Sequence, residues 1–261
     1  MAGHDGAREA IDRFAAQYVT VCCCGGTGFV RTNAPVGHPL FGEAIPCICQ
    51  TDKRAREQGQ RLRRMSGLSE HELLTYTFEA FDPRSSRADA QGIAQMAAAK
   101  ALCEAYAGDS RGWLLLVGGV GSGKTHLAAA IAVSQLNRGL GVFMATMPDI
   151  LDMLRGGYDD VVGFDERFDA LKRIPLLVID DLGSERKTDW VSEKLYQLVN
   201  ARYENRRALV ITSNVDPRRA TVNVESRVLS RLLTGSETAD GWTRVMTLPA
   251  GDYRRRMRER L

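Results

Sequence analysis

A glycine-rich segment carries the clearest chemical signal in this sequence. It matches the pattern G-x-x-x-x-G-K-[ST] over Gly118–Thr125, between a predicted strand, Trp113–Val117, and a predicted helix, Thr125–Leu136. In this context the loop amides and the helix dipole hold phosphate oxygens, the lysine reaches the β- and γ-phosphates, and the threonine hydroxyl binds Mg²⁺. The segment therefore predicts a site for ATP with Mg²⁺. The residues assigned to it are Gly118, Gly119, Val120, Gly121, Ser122, Gly123, Lys124, Thr125 and His126.

Polar side chains follow two further predicted strands. Asp180 and Asp181 come directly after Leu176–Ile179, and Asn214 follows Leu209–Thr212. The carboxyl ends of parallel strands meet at one edge of a sheet, where ligands of such folds bind. We expect Asp180 to hold Mg²⁺ through water and Asp181 to polarise the attacking water as general base. We expect Asn214 to position that water if its strand lies between the strand before the glycine-rich loop and the strand before Asp180.

Two arginines lie together on a later helix. The helix is predicted over Glu225–Leu233, and it places Arg227 and Arg231 on one face because they are four residues apart. An arginine at this point could reach the nucleotide of a neighbouring copy. Phosphoryl transfer gains much from such a guanidinium, because it neutralises charge that grows in the transition state. The helix therefore predicts self-association through a trans-acting arginine.

Five of the six cysteines fall within 28 residues near the N-terminus. In a reducing cytosol such a cluster indicates a metal site rather than a disulfide framework. Cys24 is followed by Gly26 and Gly28, a spacing similar to the knuckle of a zinc ribbon, in which glycines let backbone amides approach thiolate sulfur. The predicted Zn²⁺ ligands are Cys22, Cys24, Cys47 and Cys49. Cys23 and His38 remain alternative ligands.

Apolar runs alternate with helical stretches from about residue 75 onward, which is typical of a parallel sheet with crossover helices. The predicted strands are Trp113–Val117, Val142–Ala145, Leu176–Ile179, Leu209–Thr212 and Arg244–Leu248. We therefore expect an α/β fold with a central five-stranded parallel sheet flanked by helices. The predicted domains are an N-terminal helix with a small cysteine-rich zinc module (1–50), a basic linker (51–74) and an ATPase domain (75–261).

Composition and charge exclude several classes of protein. The 261 residues are 44% hydrophobic and 26% charged, as in folded globular chains. Apolar runs fall far short of the roughly 20 residues that cross a bilayer, and no signal peptide precedes the cysteines, so we expect no membrane association and a cytoplasmic location. The net charge is only +3, but basic residues concentrate in 52–64 and 253–261. Each run is a candidate nucleic-acid contact or a solvated face.

The motifs and their order resemble those of AAA+ ATPases. The glycine-rich loop is similar to the Walker A element, and the later elements are similar to Walker B (Asp180-Asp181), sensor 1 (Ser213-Asn214), the arginine-finger box (Ser230-Arg231) and sensor 2 (Tyr253-Arg254). Within these ATPases, the chain resembles the branch of DnaC/DnaI helicase loaders and IstB proteins. The runs that carry this closer resemblance are Tyr76–Phe81, Ile179–Gly183, Ile211–Asn214 and Ser226–Leu232.

The resemblance also implies roles for individual residues. Arg231 would be the finger that acts on the adjacent copy, with Arg227 as its competitor, and Arg254 would contact the bound nucleotide. The stretches 149–158 and 164–171 look like the insertion with which initiators and loaders grip single-stranded DNA. Asp181 departs from the family, because most AAA+ proteins carry glutamate there, and this departure suggests slow ATP hydrolysis.

The function implied by the resemblance is that of a replicative helicase loader. Such a protein binds and hydrolyses ATP, binds single-stranded DNA and delivers a hexameric helicase in DNA replication. Loaders of this family can carry an N-terminal zinc module that holds the helicase. The alternative is an IstB-like transposition helper, which shares the ATPase domain but remodels duplex DNA for a transposase.

Overall fold

The computed structural model describes residues 22, 24–31, 36–37, 41–42, 44–85, 89–155, 163–184, 188–216, 226–233 and 242–249. They belong to two compact units, Met1–Arg61 and Leu62–Leu261, which we describe separately. None of the helices in these ranges combines the length and the apolar character needed to cross a lipid bilayer. The helix predicted ahead of the cysteines lies outside the described residues.

The first unit contains a two-stranded antiparallel sheet, β1 (Phe29–Arg31) and β2 (Ala44–Pro46), followed by the start of helix α1 (Ile48–Met65). Its core is small: among the described residues, the buried apolar cluster consists of Cys24, Ile45 and Cys47. A core of this size does not stabilise a fold without a disulfide or a metal. The boundaries proposed from the sequence at residues 50 and 75 stay a prediction.

The second unit contains a five-stranded parallel sheet. Its strands are β3 (Trp113–Val117), β4 (Val142–Thr146), β5 (Leu176–Asp180), β6 (Ala208–Ser213) and β7 (Thr243–Thr247). They lie in the order β4-β5-β6-β3-β7, and every neighbouring pair is parallel. The predicted sheet is confirmed, with each strand end within one residue of its predicted position. Strand β6 lies between β5 and β3, which is the arrangement that the interpretation of Asn214 required.

Helices precede and connect the strands of the second unit. They are α2 (Glu70–Thr75), α3 (Ala90–Asp109), α4 (Lys124–Asn137), α5 (Met147–Arg155), α6 (Phe164–Arg173), α7 (Asp189–Glu204) and α8 (Ser226–Leu233). Local caps set where they begin. The carboxylate of Asp89 accepts a hydrogen bond from the amide of Gly92 at 2.8 Å, and α3 begins at the next residue, Ala90.

Both faces of the sheet are covered. On one face, apolar residues of β3, β5 and β6 pack in a core with α3 and α4, and on the other they pack with α5 to α8. Successive side chains of a strand point to opposite faces, so a strand that is buried on both faces is apolar throughout. This explains the continuous apolar runs of β3, β5 and β6, all of whose residues are buried.

A short segment before α2 pairs with the edge strand β4. The amide of Met144 donates to the carbonyl oxygen of Ser66 at 2.8 Å. Gly67 follows in the left-handed region with φ of 77°, and a Cβ atom there would collide with the Met144 carbonyl oxygen. Only glycine allows this close approach. We call Ser66 and Gly67 the edge segment.

Arg202, in α7, is fully buried with 0% exposure. Its guanidinium donates to the carbonyl oxygens of Leu171 at 2.8 Å, Ile174 at 3.0 Å and Ala208. These carbonyls belong to the end of α6, the connection to β5 and the start of β6, so one side chain ties three segments together. Burial lowers the pKa of Arg202, while the negative end of the α6 dipole favours the charged guanidinium.

Replacing Arg202 with methionine is expected to lower the free energy of unfolding by about 3 kcal/mol or more, because buried carbonyl groups lose a charged donor. The matched control is Arg173→Met. The Arg173 side chain is 77% exposed and pairs with Asp169 at the surface, so its loss should cost less than about 1 kcal/mol. Urea denaturation at pH 7 measures both variants. Equal unfolding midpoints would contradict the role assigned to Arg202.

Candidate nucleotide-binding site and metal centre

The glycine-rich loop joins the end of β3 to the start of α4 at the carboxyl edge of the sheet. Gly123, the residue before α4, has φ of 91°, in the left-handed region. A Cβ atom at this position would lie 2.9 Å from the ring of Phe81, so conformation and packing both require glycine. The first amides of α4 have no carbonyl partner within the helix, and such amides hold phosphate in loops of this kind.

Lys124, the first residue of α4, is 6% exposed. Its ammonium group donates to the carbonyl oxygens of Gly118 at 2.9 Å and Gly119 at 2.8 Å. It also donates to Oδ1 of Asn214 at 3.0 Å. The positive charge predicted to meet the phosphates is therefore held at the loop, in contact with the amide predicted to position water.

Asp180 and Thr125, the two residues predicted for Mg²⁺, are in direct contact. The Thr125 hydroxyl lies 3.1 Å from each carboxylate oxygen of Asp180. A second hydroxyl, that of Thr212 in β6, donates to Oδ1 of Asp180 at 2.6 Å. Mg²⁺ prefers oxygen ligands of this kind, so the donor set fits the ion that the sequence predicts.

Asp181 continues the chain in the left-handed region, with φ of 55°, which residues other than glycine seldom adopt. Its amide donates to the hydroxyl of Thr212 at 2.9 Å, and its Oδ1 accepts a hydrogen bond from the side-chain amide of Asn214. Asn214 therefore links the predicted base, Asp181, to the predicted phosphate ligand, Lys124. Five predicted residues, from the start of α4, the end of β5 and the turns after β5 and β6, meet here: Lys124, Thr125, Asp180, Asp181 and Asn214.

A cleft of about 330 Å³ lies over these groups, a volume within the range of small-molecule pockets. Most of the predicted residues line it, and so do Tyr76, Thr146 and Thr212, which sequence analysis missed. Thr212 could have been found from the sequence, because a hydroxyl side chain in an otherwise apolar strand indicates a polar partner nearby. Tyr76 opens one of the runs that carry the family resemblance, but no spacing places it or Thr146 at the cleft, because tertiary packing brings both of them there.

His126 lines the same cleft and is buried, at 4% exposure. Its Nε2 lies 2.9 Å from the carbonyl oxygen of Thr77, and its ring meets those of Tyr76 and Phe81 edge-on at 5.1 and 5.3 Å between centroids. Burial lowers the pKa of His126, so the ring is neutral at pH 7. His126 therefore fixes the segment 76–81 against the start of α4.

The two candidate arginines of α8 both stack on α7. Arg231 lies with its guanidinium carbon 4.9 Å from the ring centroid of Tyr203, and its Nε donates to Oδ1 of Asn200 at 3.1 Å. Arg227 lies 4.8 Å from the ring centroid of Tyr196. Among the described residues that line the cleft, neither arginine appears. Arg254, the predicted sensor 2 residue, lies outside the described residues.

The first unit brings together the four cysteines predicted to bind zinc: Cys22, Cys24, Cys47 and Cys49. Their Sγ atoms all lie within 4.8 Å of one another, with 3.5 Å between Cys24 and Cys49 and 3.9 Å between Cys22 and Cys24. A tetrahedral zinc site with bonds of about 2.3 Å needs sulfur atoms roughly 3.8 Å apart, so the donor set fits zinc. Cys23 and His38, the alternative ligands, lie outside the described residues.

Backbone amides favour a thiolate within this set. The amide of Gly28, and less strongly that of Gly26, donates to the Cys24 sulfur and lowers the pKa of that thiol. The hydrogen bond to Cys24 raises the pKa of the Cys49 thiol to about 12. Thiolate is the form that binds metal. The glycine amides thus approach the Cys24 sulfur, and the zinc knuckle itself stays a prediction.

Comparison with known proteins identifies the family to which this chain is similar. The profile of the family described as "IstB-like ATP binding protein" matches residues 41–225. An ATP-binding protein in an insertion sequence of Mycobacterium tuberculosis is 30% identical, over 71% of this chain and 69% of that protein. The replicative helicase loader DnaC of Escherichia coli is 29% identical, over 44% of this chain and 48% of the loader. Alignments with other curated relatives span 45%, 36% and 44% of those proteins.

Solved structures bear on the fold. The crystal structure of the DnaC helicase loader superimposes with a TM-score of 0.55 at 21% identity, over 69% of this chain and 100% of that chain. DnaA from Aquifex aeolicus, bound to AMPPCP, superimposes with a TM-score of 0.55 at 19% identity, over 72% of this chain and 55% of that chain. The predicted AAA+ fold is confirmed. With the profile match covering most of its length, the chain belongs to the IstB-like family of ATP-binding proteins.

Proposed function

We propose that this protein is a Mg²⁺-dependent ATPase that acts as a replicative helicase loader in the cytoplasm. One observation carries the ATPase assignment: Lys124, Thr125, Asp180, Asp181 and Asn214 converge on one cleft through direct hydrogen bonds. Such a constellation supplies each group that phosphoryl transfer requires, namely a phosphate cradle, a metal site and a base.

In the proposed mechanism, Lys124 and the loop amides bind the β- and γ-phosphates. Thr125 directly and Asp180 through water would hold Mg²⁺, which when bound would neutralise the charge that develops on the phosphate oxygens. Asp181 accepts a proton from a water molecule while the oxygen of that water forms a bond to the γ-phosphorus. The bond from that phosphorus to the bridging oxygen breaks, which yields ADP and phosphate. Asn214 orients this water, because its side chain already contacts Asp181 and Lys124.

The cysteine module supports the loader rather than an isolated ATPase. The module forms a separate compact unit with a sulfur donor set that suits zinc, and we assign to it the binding of a hexameric replicative helicase. A relative that aligns with 44% of this chain is named as a replicative helicase loader.

We assign the binding of single-stranded DNA to α5, α6 and the neighbouring part of α7. Basic side chains there stack on aromatic rings: Arg155 lies 5.0 Å from the ring centroid of Trp190, and Lys194 lies 5.0 Å from that of Phe164. Cationic and aromatic groups together are the usual elements of single-strand binding, since they contact phosphates and bases.

The second candidate function is that of a transposition helper. It is favoured by the Mycobacterium tuberculosis relative, which is named as belonging to an insertion sequence and aligns over 71% of this chain. A helper of this kind would use the same ATPase site and would act with a transposase on duplex DNA.

The trans-acting role is assigned to Arg231. Its Nε is hydrogen-bonded to Asn200 and its face rests on Tyr203. An arginine anchored through Nε keeps the four N–H groups of its other two nitrogens for a further partner. We propose that this partner is the nucleotide of an adjacent copy, and that Arg254 contacts the nucleotide of its own chain.

Lys124→Ala is expected to abolish ATP binding, because the phosphates lose their buried counter-charge. Lys172→Ala is the control, since Lys172 pairs with Asp169 on α6, away from the cleft. Isothermal titration calorimetry with Mg²⁺ and ATP measures both variants. Unchanged ATP affinity in Lys124→Ala would rule out the assigned site.

Elemental analysis is expected to find about one zinc per chain. Removal of zinc by a chelator, or the substitution Cys47→Ser, should abolish capture of a helicase from the native host while ATP binding persists. Cys103→Ala is the control, because Cys103 is buried in α3. A metal-free protein that still captures the helicase would contradict the module's role. Capture of a transposase by the intact protein would favour the helper.

Arg231→Ala is expected to bind ATP normally but to hydrolyse it about 10³-fold more slowly, the effect of losing an arginine supplied in trans. Asp181→Ala should also be inactive. A mixture of the two variants should regain part of the activity, because one interface then combines an intact base with an intact arginine. If the mixture stays inactive although both variants assemble, or if Arg227→Ala alone shows the loss, Arg231 is not the finger.

A further inference from the structure

Thr212 is a polar residue within an otherwise apolar part of β6. It is 1% exposed, and its neighbours Val210 and Ile211 are fully or almost fully buried in the two cores. A buried hydroxyl costs about 1–3 kcal/mol unless it forms hydrogen bonds. Valine has nearly the same shape without this cost, so the hydroxyl calls for an explanation.

The hydroxyl of Thr212 forms hydrogen bonds with both residues of the acidic pair. As a donor it binds Oδ1 of Asp180 at 2.6 Å, and as an acceptor it binds the amide of Asp181 at 2.9 Å. The carbonyl oxygen of Thr212 also accepts a hydrogen bond from the amide of Leu182 at 2.8 Å. One residue of β6 therefore holds three consecutive residues at the end of β5.

Two consequences follow for the acidic pair. The bond to Oδ1 limits rotation of the Asp180 carboxylate, which also contacts the Thr125 hydroxyl. The bond to the Asp181 amide holds a backbone with φ of 55°, which is strained for a residue other than glycine. This conformation turns the Asp181 side chain toward Asn214, its hydrogen-bond partner.

We infer that Thr212 is a positioning residue for the metal and the base of this site. Its hydroxyl orients Asp180 for the divalent cation and fixes the backbone from which Asp181 reaches the attacking water. Thr212 thus acts through the two aspartates, which it contacts directly. The inference rests on the proposed Mg²⁺-dependent ATPase and adds to it a residue that acts through both carboxylates.

The adjacent Ser213 provides a matched control. Its hydroxyl donates to the carbonyl oxygen of Leu182 at 2.9 Å and accepts from the amide of Val215 at 3.2 Å. Ser213 is buried, at 5% exposure, and its bonds reach the same turn. Both bonds involve backbone groups, so its removal perturbs the turn without releasing a carboxylate.

The test uses the whole 261-residue chain with a non-hydrolysable ATP analogue and Mn²⁺ as a paramagnetic probe of the metal site. Thr212→Val is expected to raise the Mn²⁺ dissociation constant, measured by electron paramagnetic resonance, by about 10–100-fold, the usual effect of losing a hydrogen bond to a metal ligand. Affinity for the analogue without divalent cation should not change. Thr212→Ser should restore most of the Mn²⁺ affinity, and Ser213→Ala should retain it.

Circular dichroism establishes that each variant is folded. If Thr212→Val is not folded, the comparison of Thr212→Ala with Thr212→Ser tests the same hydroxyl. Wild-type Mn²⁺ affinity in a folded variant without the hydroxyl would overturn the inference, as would an equal loss in Ser213→Ala. Failure of the wild-type protein to bind Mn²⁺ with the analogue would instead overturn the proposed function.

Discussion

The pairing of β6 between β5 and β3 is the constraint on which the nucleotide site depends. In this register Ile179 of β5 lies opposite Ile211, and Val117 of β3 lies opposite Ser213. The ends of all three strands therefore reach one edge together. A shift of β6 by one residue would send its side chains to the opposite faces, and Thr212 would then lose Asp180. The apolar residues that pack into two separate cores hold this register, so the core fixes the geometry of the polar groups.

The polar side chains of the site also stabilise the loops that follow the strands. Thr212 and Ser213 hold the turn after β5 through their side chains, and Lys124 holds the loop after β3 through two of its carbonyls. Hydrogen bonds from one strand or loop to the next therefore hold the loops at the carboxyl edge in place. Such preorganisation lowers the reorganisation needed when a charged ligand binds.

Sequence analysis reached the parts of the site whose residues follow directly from an element boundary. An apolar run comes before each of these features: the glycine-rich loop, Asp180-Asp181 and Asn214. Once the strand order is known, their proximity at one edge of the sheet follows. The α/β fold followed for the same reason, since buried strands and crossover helices differ in apolar pattern. The sequence predicts Thr212 only as a strand residue, because its hydrogen bonds depend on which strand lies beside β6. The contacts of Arg231 with Asn200 and Tyr203 depend on how α7 and α8 pack, and residue spacing alone does not determine this packing.

The edge segment has a consequence for assembly. An unpaired outer strand offers free amide and carbonyl groups that can recruit a strand of another molecule and begin aggregation. Ser66 satisfies the amide of Met144, and Gly67 brings the backbone so close that an incoming strand is excluded from this stretch of β4. Another copy of this chain therefore cannot extend the sheet at this stretch of β4, and contact between copies at this place is left to side chains, which can separate again.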